Sequence, residues 1–184
     1  KQTEERRMTV ERNVPMDALY MTFHMCNRLH PDYYVHDMMS DLLSNGSSSR
    51  FIRHLIQEKQ LFSNIDAYIA DSIEEGTFHI NGRPAPGISL EEAEAAVWQE
   101  LEAMKTEKTD LYELEKVKNH YESEQIFGNI NYLNVATNLA FFELISKAED
   151  INDEVAKYRA VGIEDIQRVA SETFVRENCS VLYY

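Results

Sequence analysis

Along this chain the apolar residues repeat with period two, then helically, then with period two again. A long helical stretch follows, and a period-two stretch closes the chain. Residues 9–13, TVERN, and 18–25, ALYMTFHM, are rich in β-branched, aromatic and apolar side chains, with Pro15 between them. They predict two strands, or one strand with a break. Val35, Met38, Met39, Leu42 and Leu43 form one helical stripe. Pro31 suits the first position of that helix and Asp32 the positive end of its dipole, and Asn45-Gly46 closes it. Ser47, Ser48 and Ser49 can cap a short helix, RFIRHLIQEK, that buries Phe51, Ile52, Leu55 and Ile56.

Residues 61–71, LFSNIDAYIAD, then alternate. Leu61, Ser63, Ile65, Ala67 and Ile69 point one way, and Phe62, Asn64, Asp66, Tyr68 and Ala70 the other. With Glu75-Gly76 as the turn and TFHING as the return strand, they predict an antiparallel hairpin. RPAPG interrupts the chain. Ser89 and Glu92 make a capping box for the helix SLEEAEAAVWQELEAMKTE, and Asp110, with Glu113 after it, caps DLYELEKVKNHYESEQIF. Helices over 131–148, 151–161 and 162–174 and a strand over CSVLYY complete the order. Strands, helix, strands, several helices and a last strand define an α+β domain. Its mainly antiparallel sheet packs helices on one face. No internal linker or repeat breaks the order, so residues 1–184 read as a single domain cut from a larger protein, with 1–8 as linker.

The net charge of −14 argues against nucleic acid or anionic lipid as partner and permits basic or neutral peptides. No apolar run is long enough for a membrane span, so a soluble protein is expected. Cys26 and Cys179 make no CxxC and no metal spacing, and read as two free, half-buried thiols. The six histidines form neither HExxH nor HxxEH. His120 with Glu124, and Asp32 with His36, share helical faces, but a solvated pair and a helix start explain them. The serines lack a GxSxG elbow, and the glycines form no GxGxxG and no P-loop. Composition and spacing alone show no catalytic constellation.

The ordered features do resemble a family. HPDYYVHDMMSDLLSNGSSSRFIRHLIQEKQL leads into the hairpin. SLEEAEAAVWQELEAMKTE, DLYELEKVKN and the closing GIEDIQRVASETFVRENCSVLYY follow in turn. From about Thr9 to Tyr184 this order resembles the C-terminal-type, non-zinc-binding domain of the pitrilysin/insulinase family of inverted-motif zinc peptidases, which includes the mitochondrial processing peptidases. The resemblance implies an α+β half-domain of the LuxS/processing-peptidase type. It also implies that zinc is held by a separate HxxEH domain, on the same parent chain or a partner subunit, while this domain helps enclose a peptide.

In many members the serine-rich turn leads to an Arg and a Tyr, at the spacing of residues 56 and 63, that reach the partner domain's zinc site. Laid on this chain, the pattern places its Ser-Arg on Ser49-Arg50 and its leucines on Leu55 and Leu61. Its Gln falls on Gln60, its Arg on Ile56 and its Tyr on Ser63. Arg50 and Arg53 stand nearby, Arg50 in a structural role. An isoleucine cannot donate a charge-assisted hydrogen bond. The resemblance therefore implies a frame without its chemistry: no catalytic residue, no metal ligand and no cofactor in this chain. A strand carrying Phe62, Asn64, Asp66 and Tyr68 could contact peptide by strand addition. The alternative is a scaffold domain of a proteolytically dead parent. The compartment is left open between bacterial periplasm and cytoplasm.

Overall fold

The computed structural model describes residues 2–70 and 72–184. Lys1, expected in the linker, and Asp71, expected to end a strand, lie outside the described residues. One five-stranded sheet runs β1-β5-β2-β4-β3. Its strands are β1 (Arg6–Thr9), β2 (Leu19–Met25), β3 (Phe62–Ala70), β4 (Gly76–Pro84) and β5 (Cys179–Tyr183). β1 lies parallel to β5, and every other pairing is antiparallel.

Alternation along β2 puts Leu19, Met21, Phe23 and Met25 on the buried face. Phe78 and Ile80 of β4 join them. Three helices cover this face: α1 (Tyr33–Ser44), α2 (Leu90–Thr106) and α6 (Ile163–Thr173). Met38, Met39, Val97, Leu101, Ile166 and Ala170 close the core from above. Phe23 meets Trp98 and Phe174 edge to face, at 5.7 and 5.2 Å between ring centroids. The opposite sheet face is polar. There His79 stacks on Tyr68 at 5.1 Å and bonds the Thr22 and Thr77 hydroxyls. The α+β arrangement with helices on one face is as expected.

The first strand lies earlier than TVERN. β1 begins at Arg6, inside the expected linker, because Ser180, Val181, Leu182 and Tyr183 offer it partners in register. Beyond Thr9 the neighbouring strand is exhausted, and residues 11–13 have no strand to pair with. The serine cap also differs. No side chain caps the short helix after the serines, and Ser49 instead donates to the Gly46 carbonyl at 2.8 Å. Helix α1 starts at Tyr33, so Pro31 precedes the N-cap, and the Asp32 carboxylate is held by Arg168 of α6 at 2.6 and 3.0 Å. Ser89 and Asp110 do cap their helices, accepting from the Glu92 and Tyr112 N–H groups at 3.1 and 3.0 Å.

Two buried ionic groups lock the periphery to this core. Arg28 and Glu154 pair at 2.5 Å, and the Tyr34 hydroxyl donates to the same carboxylate at 2.8 Å. Glu94 on α2 accepts from Trp98, Tyr183 and Arg7. Burial pushes the Glu94 carboxyl upward, and the bonds from Tyr183, Arg7 and Trp98 outweigh it and hold it below the usual range. Cys26 and Cys179 are both free thiols. Burial raises them to about 11 and about 12, so neither is a thiolate at neutral pH. Among the described residues no helix is long and apolar enough to cross a membrane.

Candidate functional site

The turn at Gly46 (φ +85°) delivers the chain into residues 51–58. The expected short helix winds as a π-helix (Phe51–Glu58). The wide turns are visible at its end, where Lys59 N–H bonds the His54 carbonyl at 2.9 Å. Wide turns of this kind are rare and concentrate at functional sites. Gln60 then adopts φ +53°, a left-handed conformation that side chains other than glycine rarely take. Together they swing the chain from the helix directly into β3.

Arg50 is the anchor of this frame. Its guanidinium grips Glu113 with two bonds, at 2.9 and 3.1 Å, and reaches Thr109 at 3.4 Å. That fork ties the π-helix to α3 (Leu111–Gly128). Glu113 is therefore drawn away from the capping role its spacing suggests. Arg53 forms only an exposed pair with Glu58 at 3.2 Å. Leu55 is fully buried, and Ile56 packs half-buried against the core. Ser63 is exposed at the start of β3 and donates to the Pro84 carbonyl at 3.4 Å.

β3 is an outer strand of the sheet, as strand addition needs. Asn64, Asp66 and Tyr68 share its exposed face, and Phe62 does not join them. A register irregularity between Phe62 and Asn64 turns Phe62 inward over Gly82, where any side chain would collide with its ring. Burying a phenylalanine is worth about 1.5–3 kcal/mol, against about 0.5–1.5 kcal/mol for one ladder hydrogen bond, so the bulge is the favourable outcome. Ser44, at the end of α1, occupies part of the outer edge. Its hydroxyl donates to the Ala67 carbonyl at 2.9 Å and stands 2.8 Å from Asp66 Oδ1, while the Ala67 N–H reaches it at 3.0 Å. In an antiparallel pair both backbone groups of one residue face the same side. The Ala67 backbone groups therefore face away from β4, and by the same period of two so do those of Ile65 and Ile69.

The histidines do not assemble a metal centre. His36 is buried: its Nδ1–H donates to the Asp32 carbonyl at 2.8 Å, so Nε2 accepts from the Thr173 hydroxyl at 2.8 Å. Both ring nitrogens are committed, and the Asp32 carboxylate belongs to Arg168. His120 and Glu124 stand 3.4 Å apart on an exposed helix face, a two-donor pair. Among the described residues no group of three His, Cys, Asp or Glu is placed to hold a metal ion. The donors present do not fit a zinc site.

An α+β sheet with helices on one face, entered at its outer strand through a serine-rich turn and a π-helix, is the fold of the inactive peptidase domains. The model of the peptidase M16 inactive domain matches residues 1–121, and the chain belongs to that family. No curated protein matches the sequence. A protease from Helicobacter pylori shares the fold with a TM-score of 0.94 and 22% identity, over 100% of this chain and 45% of that one. An inactive peptidase domain from Bordetella parapertussis aligns with a TM-score of 0.83 and 18% identity, over 95% of both chains. A chain of complex III2 from Candida albicans aligns with a TM-score of 0.78 and 12% identity, over 98% of this chain and 45% of that one. The chain thus spans less than half the length of the Helicobacter and Candida proteins.

Proposed function

We propose that this domain forms a non-catalytic wall of a zinc peptidase's peptide chamber, beside a separate HxxEH domain that supplies the zinc. The observation that carries this reading is the frame over 47–63. Its turn, its π-helix and its Arg50 anchor make an ordered frame, and the family resemblance puts its Arg and Tyr at Ile56 and Ser63 of that frame. Neither can steady a developing negative charge as Arg and Tyr can. Peptide would run along the outer edge of β3, past Asn64, Asp66 and Tyr68. Ser44 at Ala67 divides that edge, so a peptide pairs on one side of Ala67 or displaces the hydroxyl.

The likeness to a complex III2 chain favours a second reading, a scaffold domain of a parent without peptidase activity. An HxxEH motif with a distal Glu, in the parent or in a partner subunit, separates the two, since only the first reading requires it. Elemental analysis of the dialysed chain, paired with hydrolysis of an unstructured peptide, tests the shared core of both. Zinc near zero per chain and no chelator-sensitive cleavage are expected. Zinc near one per chain would overturn the reading, and His36 and His120 would be the first positions to substitute.

A further inference from the structure

From Gln125 to Phe142 no side chain is charged, although 27% of the chain is Asp, Glu, Lys or Arg. This run covers the end of α3 and most of α4 (Tyr132–Ile145). Phe127, Ile130, Tyr132 and Leu133 are 70%, 72%, 89% and 72% exposed, and Leu144 is 73% exposed. Single exposed apolar residues are ordinary on a protein surface, but a contiguous set marks an interaction site. A surface helix normally shows one apolar stripe and a polar back. In α4, Leu133, Val135, Leu139, Phe141 and Leu144 instead run around the whole circumference. Phe142 alone in this helix is buried, beside the Arg28 guanidinium. A helix apolar all round belongs inside an assembly.

The flanks of the run are acidic. Glu124 precedes it on α3, where Glu122 is taken up by Arg159, and Glu143, Glu149 and Asp150 follow its end beside Lys147. We infer that the surface around Phe127 and Leu133 docks a folded protein domain whose contact face is apolar at its centre and bordered by Lys and Arg. The inference rests on the proposed function in taking that domain to be the HxxEH-bearing one. A second copy of this chain fits badly, because it would set acidic flank against acidic flank on molecules of charge −14. A bilayer fits badly too, since α4 has no Lys or Arg face for lipid headgroups.

The test titrates the whole chain against the separately produced HxxEH-bearing polypeptide of the parent. Wild type is compared with Phe127→Lys, Leu133→Lys and Leu133→Glu, all at exposed positions, with circular dichroism confirming that each folds. Wild type should bind, and each lysine variant should lose at least about tenfold in affinity. Leu133→Glu should lose less than Leu133→Lys, because a basic border repels added base and tolerates added acid. Sedimentation of the chain alone and flotation with phosphatidylcholine and phosphatidylglycerol vesicles run beside it. Wild-type binding that all three variants match would overturn the docking face and leave the proposed function standing. A wild-type chain that ignores the HxxEH polypeptide would overturn both. Self-association or vesicle binding abolished by Leu133→Lys would assign the face to another occupant and overturn the inference.

Discussion

His36 has its two ring nitrogens bonded to Thr173 and the Asp32 carbonyl. Burial drives its pKa below the ordinary histidine value, so the folded chain keeps it neutral. An unfolded histidine titrates near ~6.5. Below that pH the unfolded chain takes up a proton that the folded chain refuses, so acidification costs stability. The Asp32 carboxyl, lowered first by its hydrogen bond from Arg168, acts in the same direction at lower pH. Its contribution is complete above the unfolded carboxyl value of ~3.9 and fades as pH falls through the lowered folded one. The urea midpoint should therefore fall as pH drops below ~6.5, and His36→Gln should flatten that part of the profile. A wild-type midpoint that holds steady or rises on acidification would sink this assignment. None of this was visible in the spacing of Asp32 and His36, which suggests a shared helix face. The preference was decided by Thr173 and Arg168, distant in sequence and near in space.

At the scale of elements, what could be read were the long periodic segments and their caps. The α1 stripe, the Ser89 and Asp110 caps and the β3–β4 hairpin all follow from local pattern. What could not be read depends on partners elsewhere in the chain. The start of β1 is set by β5, nearly the whole chain away. The inward turn of Phe62 is set by the missing side chain at Gly82. The π-helix has no periodic signature in so short a run, and its strained exit at Gln60 leaves no mark in the sequence. A β-branched residue tolerates that left-handed backbone poorly, so Gln60→Val should lower unfolding free energy by about 1–2 kcal/mol. Gln60→Gly should change it less, because relieved strain and greater unfolded-chain freedom oppose each other. Urea unfolding of both variants checks this, and equal effects would mean that residue 60 carries no strain. Of the proposed site, the structural role of Arg50 could be anticipated from the sequence, but its partner Glu113 and the Ser44 contact needed the fold.

For the molecule as a whole, the first residues fasten the last strand. β1 covers β5, Gln2 Nε2 donates to the Cys179 carbonyl at 2.7 Å, and Arg7 pairs with buried Glu94. Deleting residues 2–10 should strip β5 of its outer neighbour, lower the thermal midpoint and make the chain self-associate. An unchanged midpoint, with the protein still monomeric, would show that the fastening contributes nothing. The opposite margin of the sheet is protected by Ser44. An uncovered margin is a template on which identical chains stack into fibrils. Ser44 fills a single rung there with one hydroxyl, without a proline, and so blunts such stacking at Ala67. Under the proposed function an incoming peptide strand would meet the same hydroxyl, so that one side chain would set both how far identical chains stack on this margin and how much of it a peptide can use.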